Sequence, residues 1–199
     1  MAELDGAEVD GAEVLSFRDA AEWESWLARH HERPAGVWLK IAKKGSGETS
    51  VTIGETLDVA LCYGWIDSQR RSFDQHHYLQ RYSRRRPGSA WSRVNVDKVE
   101  ALIAAGRIRP PGLAEIAAAR ADGRWDAAYE SQRTVTVPPD LAAALAGSEP
   151  ARRAFERLDK TSRYAVILPL LKARTPASRA ARLRRAVETL AAGDVGGGG

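Results

Sequence analysis

One cysteine, Cys62, stands among 199 residues, so no internal disulfide can hold this chain together. Phenylalanine and methionine are scarce, at three and one, and 34 of the apolar residues are alanine; tryptophan, leucine, valine and isoleucine must therefore build a core of modest size. The longest apolar run, Ala165 to Leu171, falls far short of the about 20 residues that cross a bilayer, and no membrane insertion is expected. No basic residue precedes Arg18, whereas Glu3, Asp5, Glu8, Asp10 and Glu13 crowd the start; a secretory signal begins with the opposite charge, so the expected location is cytoplasmic. The four histidines come as the adjacent pairs His30-His31 and His76-His77, whose side chains diverge, so no metal site is expected. Lys43-Lys44-Gly45-Ser46-Gly47 lacks the spacing of a phosphate-binding loop, and Ser89 lacks the context of a nucleophile elbow. No cofactor is expected, and no convincing catalytic constellation emerges.

What is present divides the chain. Residues 1–13 read as a disordered acidic lead and 194–199, rich in glycine, as a disordered tail. Between them, residues 14–91 mix strands with helices. A strand is expected at Val14–Phe17. Asp19 with Glu22 reads as a capping box opening a helix whose buried stripe is Trp23, Trp26 and Leu27. Gly36–Lys43 alternates as a half-buried strand. Thr52 with Glu55 opens a second helix that Gly64 stops, and Trp65–Phe73 with His77–Ser83 reads as a hairpin. Residues 92–193 carry helical periodicity throughout, with Pro138-Pro139-Asp140 and Ser148 placed to start helices and Pro169 predicting a kink. The expected fold class is α+β: a small antiparallel sheet with helices, packed on a C-terminal all-helical subdomain.

Chemistry concentrates in Cys62-Tyr63-Gly64-Trp65-Ile66-Asp67 and in Tyr82–Ser92 followed by Asn95. These stretches, together with the Trp23–Leu27 helix, Gly36-Val37-Trp38-Leu39, Gly123-Arg124-Trp125-Asp126-Ala127-Ala128-Tyr129, Val137-Pro138-Pro139-Asp140-Leu141, Ser162-Arg163-Tyr164-Ala165 and Thr175-Pro176-Ala177-Ser178-Arg179 with Arg182 and Leu183, occur in one order over residues 14–193. In this the chain resembles the bacterial YdeI/OmpD-associated, or bacteriocin-protection, proteins. It departs from them at Arg84, where a proline is usual, at Pro169, and at Ala177, where a glutamate is usual. The resemblance implies resistance to bacteriocins or cationic peptides and an envelope link through a porin, and it implies no reaction.

The residues themselves suggest a site at the joint between the two subdomains. Trp65 and Asp67 share one face of a strand, Arg85, Arg86 and Ser89 follow the hairpin, and Trp91, Ser92 and Asn95 open the helical part. An aromatic floor, one carboxylate and convergent arginines suit an anionic or planar small molecule. The plainer reading is a packed joint in which Asp67 neutralises Arg85 and Ser89 or Ser92 caps a helix. Arginine runs at 68–93 and 171–185 raise non-specific nucleic-acid binding as a third reading; a net charge of only +4 and the absence of any nucleic-acid-binding motif disfavour it. The expectation is therefore a stress- or antimicrobial-resistance protein that binds a small ligand, with a small enzyme using the same pocket as the alternative. Oligomeric state stays open.

Overall fold

The structure is a computed structural model describing residues 3–193; the expected tail at 194–199 lies outside the described residues. Its elements run β1 (Glu3–Val9), β2 (Ala12–Ser16), α1 (Ala20–His30), β3 (Val37–Ala42), α2 (Ile53–Cys62), β4 (Trp65–Ser72), β5 (His77–Arg84), α3 (Arg93–Ala104), α4 (Pro110–Ala121), α5 (Pro139–Ala146), α6 (Glu149–Arg157), α7 (Lys160–Leu171) and α8 (Pro176–Ala192). The class is α+β. One compact unit runs to Trp91 and takes in Asn95–Ala127; the other joins Ser92–Val94 to the chain from Ala128 onward.

In the first unit the strand order is β1-β2-β3-β5-β4. The sheet is mixed, not wholly antiparallel: β2 and β3 pair in parallel because α1 carries the chain back between them. Where a disordered lead was expected, residues 3–16 form a hairpin turning on Asp10 and Gly11, both at positive φ (51° and 68°), as a tight two-residue turn requires. Tertiary contacts hold it. The Trp38 indole N–H donates to the Val9 carbonyl (3.0 Å), Arg71 pairs with Asp10 (2.6 Å), and Ala12, Val14, Trp38 and Leu79 form a small core on that side of the sheet.

The other face is covered by α1 and α2. Asp19 caps α1 by accepting from Glu22 N, but Glu22 completes no capping box: it accepts from Arg18 instead, and that guanidinium draws its carboxyl down to about 2. Thr52 and Glu55 do form a full capping box on α2. Trp23, Trp26 and Trp65 pack edge-on or stacked, and the Trp23 indole N–H donates to the Thr56 carbonyl (3.1 Å). Gly64, at φ 72°, turns the chain from α2 directly into β4, and Asp74 fixes the β4–β5 turn by accepting from the backbone N–H groups of His76 and His77.

The second unit encloses Leu141, Leu145, Ala151, Ala154, Phe155, Ile167, Leu170 and Leu190. Arg179 ties three of its helices: it makes a two-pronged bond to Asp140 of α5 (2.7 and 2.8 Å) from α8 and donates to the Leu170 carbonyl at the end of α7 (2.9 Å). Thr175 and Ser178 cap α8 reciprocally. Ser148 stands at the start of α6 as expected but makes no side-chain cap bond. No helix among the described residues is long and apolar enough to cross a membrane.

Candidate functional site

β5 ends at Arg84, and the Arg85 N–H donates to the Gly64 carbonyl (3.0 Å), so the chain leaves the sheet beside the start of β4. The segment that follows is built around Arg85, which is only 7% exposed. Its guanidinium lies 3.7 Å from the Trp91 ring centre and donates to Ser89 Oγ (3.0 Å) and the Ala90 carbonyl (3.4 Å). Trp91 packs in turn on Trp125, with ring centres 5.0 Å apart. Behind the loop, the buried Arg124 donates to the Ser89 carbonyl (3.0 Å) and pairs with Glu115 and Asp122. Two guanidiniums with fixed partners thus hold the Ser89–Ala90 end of the loop, and the Arg85 backbone bond to Gly64 holds the other.

Outside this framework opens a cleft of about 810 Å3, walled by Pro34, Gly36, Ile66 and Pro87, with Ser68, Ser83 and Ser89 adding hydroxyls and Arg81, Arg84, Arg85 and Arg86 adding charge. Gly36 is required where the strand meets the cleft, since a Cβ there would stand 2.5 Å from the Tyr82 carbonyl oxygen. Two further hollows, of about 610 and 620 Å3, adjoin the Lys43–Thr52 segment; the first mixes Arg18 and Lys40 with Glu22 and Glu48.

The expected site residues divide. Arg85, Arg86 and Ser89 line the cleft together, and Trp91 stacks beneath Arg85. Trp65 and Asp67 do not line it. They alternate with Ile66 and Ser68 along β4, and it is Ile66 and Ser68 that face the cleft. Trp65 instead packs against Trp23 and Trp26 and donates its indole N–H to the His31 carbonyl (2.8 Å). Asp67 is half-buried opposite Tyr82 and forms no ion pair among the described residues. Burial pushes its carboxyl above the usual carboxylate range, against the opposing pull of its own backbone N–H and of Arg85 and Arg70. Asn95 is half-buried in the first turn of α3, and Ser92, in the second unit, bridges to Tyr129.

Arg81, Ser83, Glu115 and Arg124 were not among the expected site residues, although Ser83 and Arg124 lie within the motifs quoted above. Strand alternation could have found Arg81 and Ser83, which share a face of β5; no local signal points to Arg124, 35 residues from the carbonyl it holds. Elsewhere, burial raises the Cys62 thiol to about 11, which leaves it protonated at neutral pH. Among the described residues, no cluster of three or more histidine, cysteine or acidic side chains is placed to hold a metal.

Fold and cleft together define an α+β protein with an arginine-lined recess at one end of its sheet. Residues 15–115, half of the chain, match the family described as a domain of unknown function (DUF8412), and the chain belongs to that family. Residues 134–193 match the family described as bacteriocin-protection, YdeI or OmpD-associated. That match bears out the resemblance over its last part, whereas the motifs from Trp23 to Asn95 fall within the first family's span. No curated protein and no solved structure matches the chain.

Proposed function

We propose that the protein is a cytoplasmic binding module for a small anionic ligand held in the arginine-lined cleft, and that this binding serves the protective role named in the description of its C-terminal family. The observation that carries the reading is Arg85: a guanidinium almost wholly removed from water, stacked on Trp91 and fixed by Ser89, at the back of a cleft large enough for a small molecule. A buried cation held in place presents its charge to an incoming anion without the cost of ordering a flexible side chain.

Thermal melts with acetate, citrate, phosphate and pyrophosphate at matched ionic strength test it. An anion that binds the folded state raises the melting temperature by mass action, worth about 2.7 kcal/mol at 100 times its Kd. At least one of the four should do so, and the rise should disappear in Arg84→Gln and Arg86→Gln. No rise with any of them refutes the reading.

A further inference from the structure

Most arginines of this chain that lie near a carboxylate are paired with it: Arg33 with Glu13, Arg71 with Asp10, Arg109 with Glu24, Arg124 with Glu115, Arg152 with Glu149 and Arg179 with Asp140. The cleft departs from that rule. Arg81 leans towards the Trp38 ring, the Arg84 guanidinium reaches the Glu32 carbonyl at 3.5 Å, and the Arg86 guanidinium has no hydrogen-bond or ion-pair partner among the described residues. The one carboxylate lining the cleft, Glu115, is taken by Arg124. Asp67, on the other face of β4, interacts with Arg85 and Arg70 and does not line the cleft. Three guanidiniums therefore face one recess with no paired carboxylate among the described residues.

The neighbouring surface differs. Arg70, next to the cleft on β4, lies over the Tyr78 ring and donates to Gln80, and Arg71 is held by Asp10. Beyond the recess Arg71 is thus neutralised and Arg70 is tied to neutral partners, so the free charge does not run on as an unbroken stripe along the sheet edge, as a polymer's backbone would need. A recess of about 810 Å3 also exceeds what a bare inorganic ion fills, and its hydroxyl-bearing and apolar walls suit an organic body.

We infer that the ligand of this cleft is a small organic phosphate, its doubly charged phosphoryl group held by Arg84 and Arg86 with Arg81 alongside and its body against Ile66, Ser68 and Ser83. Arginine suits that group because its planar fork offers two parallel donors to a phosphate, and a dianion uses a second guanidinium where a monocarboxylate does not. The inference rests on the anion-binding reading given above and narrows it.

Calorimetric titration of the full chain with glucose 6-phosphate, inorganic phosphate, acetate and a short DNA duplex tests it. Glucose 6-phosphate should bind at least about tenfold tighter than acetate and tighter than inorganic phosphate. Its affinity should fall about tenfold from pH 7 to pH 5, following the second ionisation of the phosphoryl group near pH 6. Arg86→Ala and Arg84→Gln should each weaken it about tenfold or more, whereas Arg185→Ala, in the second unit, should leave it unchanged. Acetate binding as tightly as glucose 6-phosphate would overturn the inference while sparing the anion-binding reading. DNA binding that is tighter and persists at physiological salt would overturn it in favour of a polymer. If none of the anions binds, both fall.

Discussion

Two glycines in the first turns of neighbouring helices should respond oppositely to the same substitution. Gly54 opens α2 and a Cβ there meets nothing within 4 Å; Gly112 lies in the first turn of α4, where a Cβ would stand 2.3 Å from the Cys62 carbonyl oxygen and 2.8 Å from its carbon. At Gly54 only the unfolded chain feels the change, and alanine should stabilise by about 0.4–1 kcal/mol. At Gly112 the same gain is opposed by an overlap of about 1 Å with backbone, which cannot rotate away as a side chain would; overpacking of this kind costs about 1–3 kcal/mol. The carbonyl being struck also accepts from the Arg109 N–H (3.0 Å), so separating the helices stretches the bond that starts α4, at about 1 kcal/mol more. The net for Gly112→Ala is a loss of about 1–3 kcal/mol. At about 2–4 °C per kcal/mol for a chain of this length, its melting temperature should fall by about 2–12 °C while that of Gly54→Ala rises by a few degrees. Differential scanning calorimetry of both variants beside the parent decides it. Gly112→Ala melting at or above the parent would show that α2 and α4 do not meet backbone to backbone.

Arg179→Ala should destabilise the second unit by about 1–2 kcal/mol, a discounted figure because the pair with Asp140 is a third exposed while the bond to the Leu170 carbonyl is also lost. Arg179 holds the Asp140 carboxyl below its usual value of 3.8, so the parent has this increment above that pH and loses it on acidification, and urea melts of Arg179→Ala should show a weaker loss over that range. Asp67 carries the opposite sign: burial raises its carboxyl, the folded state holds that proton more tightly, and stability declines as pH rises through 3.8 and past the raised value. Asp67→Asn should therefore melt at or above the parent at pH 7, and a loss of about 3 kcal/mol or more would mean that Asp67 neutralises a buried arginine after all.

Much of the first unit was legible because its punctuation is local. Asp19, the Thr52–Glu55 box, Gly64 and the Asp74 turn each act within a few residues, and the elements they bound lie where pattern reasoning puts them. The β1–β2 hairpin was not legible. Five acidic residues in its sequence argue for disorder, and the Asp10-Gly11 turn signal is outweighed unless one knows that Trp38 and Arg71, distant in sequence, will be there to hold it. The parallel β2–β3 pair follows from the strand–helix–strand order, which an all-antiparallel expectation overlooked. In the candidate site, the density of Arg85, Arg86 and Ser89 was visible, whereas the side of the sheet was misjudged for Asp67: once Trp65 is given to the core, alternation sends Asp67 there too. The contribution of Arg124 depends on the chain returning from α4, which no local spacing encodes.

β4 ends the sheet, and from Ser68 to Ser72 it is exposed. Such a margin is where a second chain would add its own strand, yet here the pairing with β5 slips between Asp67 and Arg70, and two arginines sit on the outer strand. The irregular backbone breaks the row of hydrogen-bonding groups a newcomer would copy, and like charges on two approaching copies repel. That defence depends partly on charge, and salt weakens charge: at 1 M the screening length shrinks to about 3 Å. Concentrated stocks of this protein should accordingly keep best in dilute buffer, and the customary remedy of adding salt against aggregation should work against the experimenter.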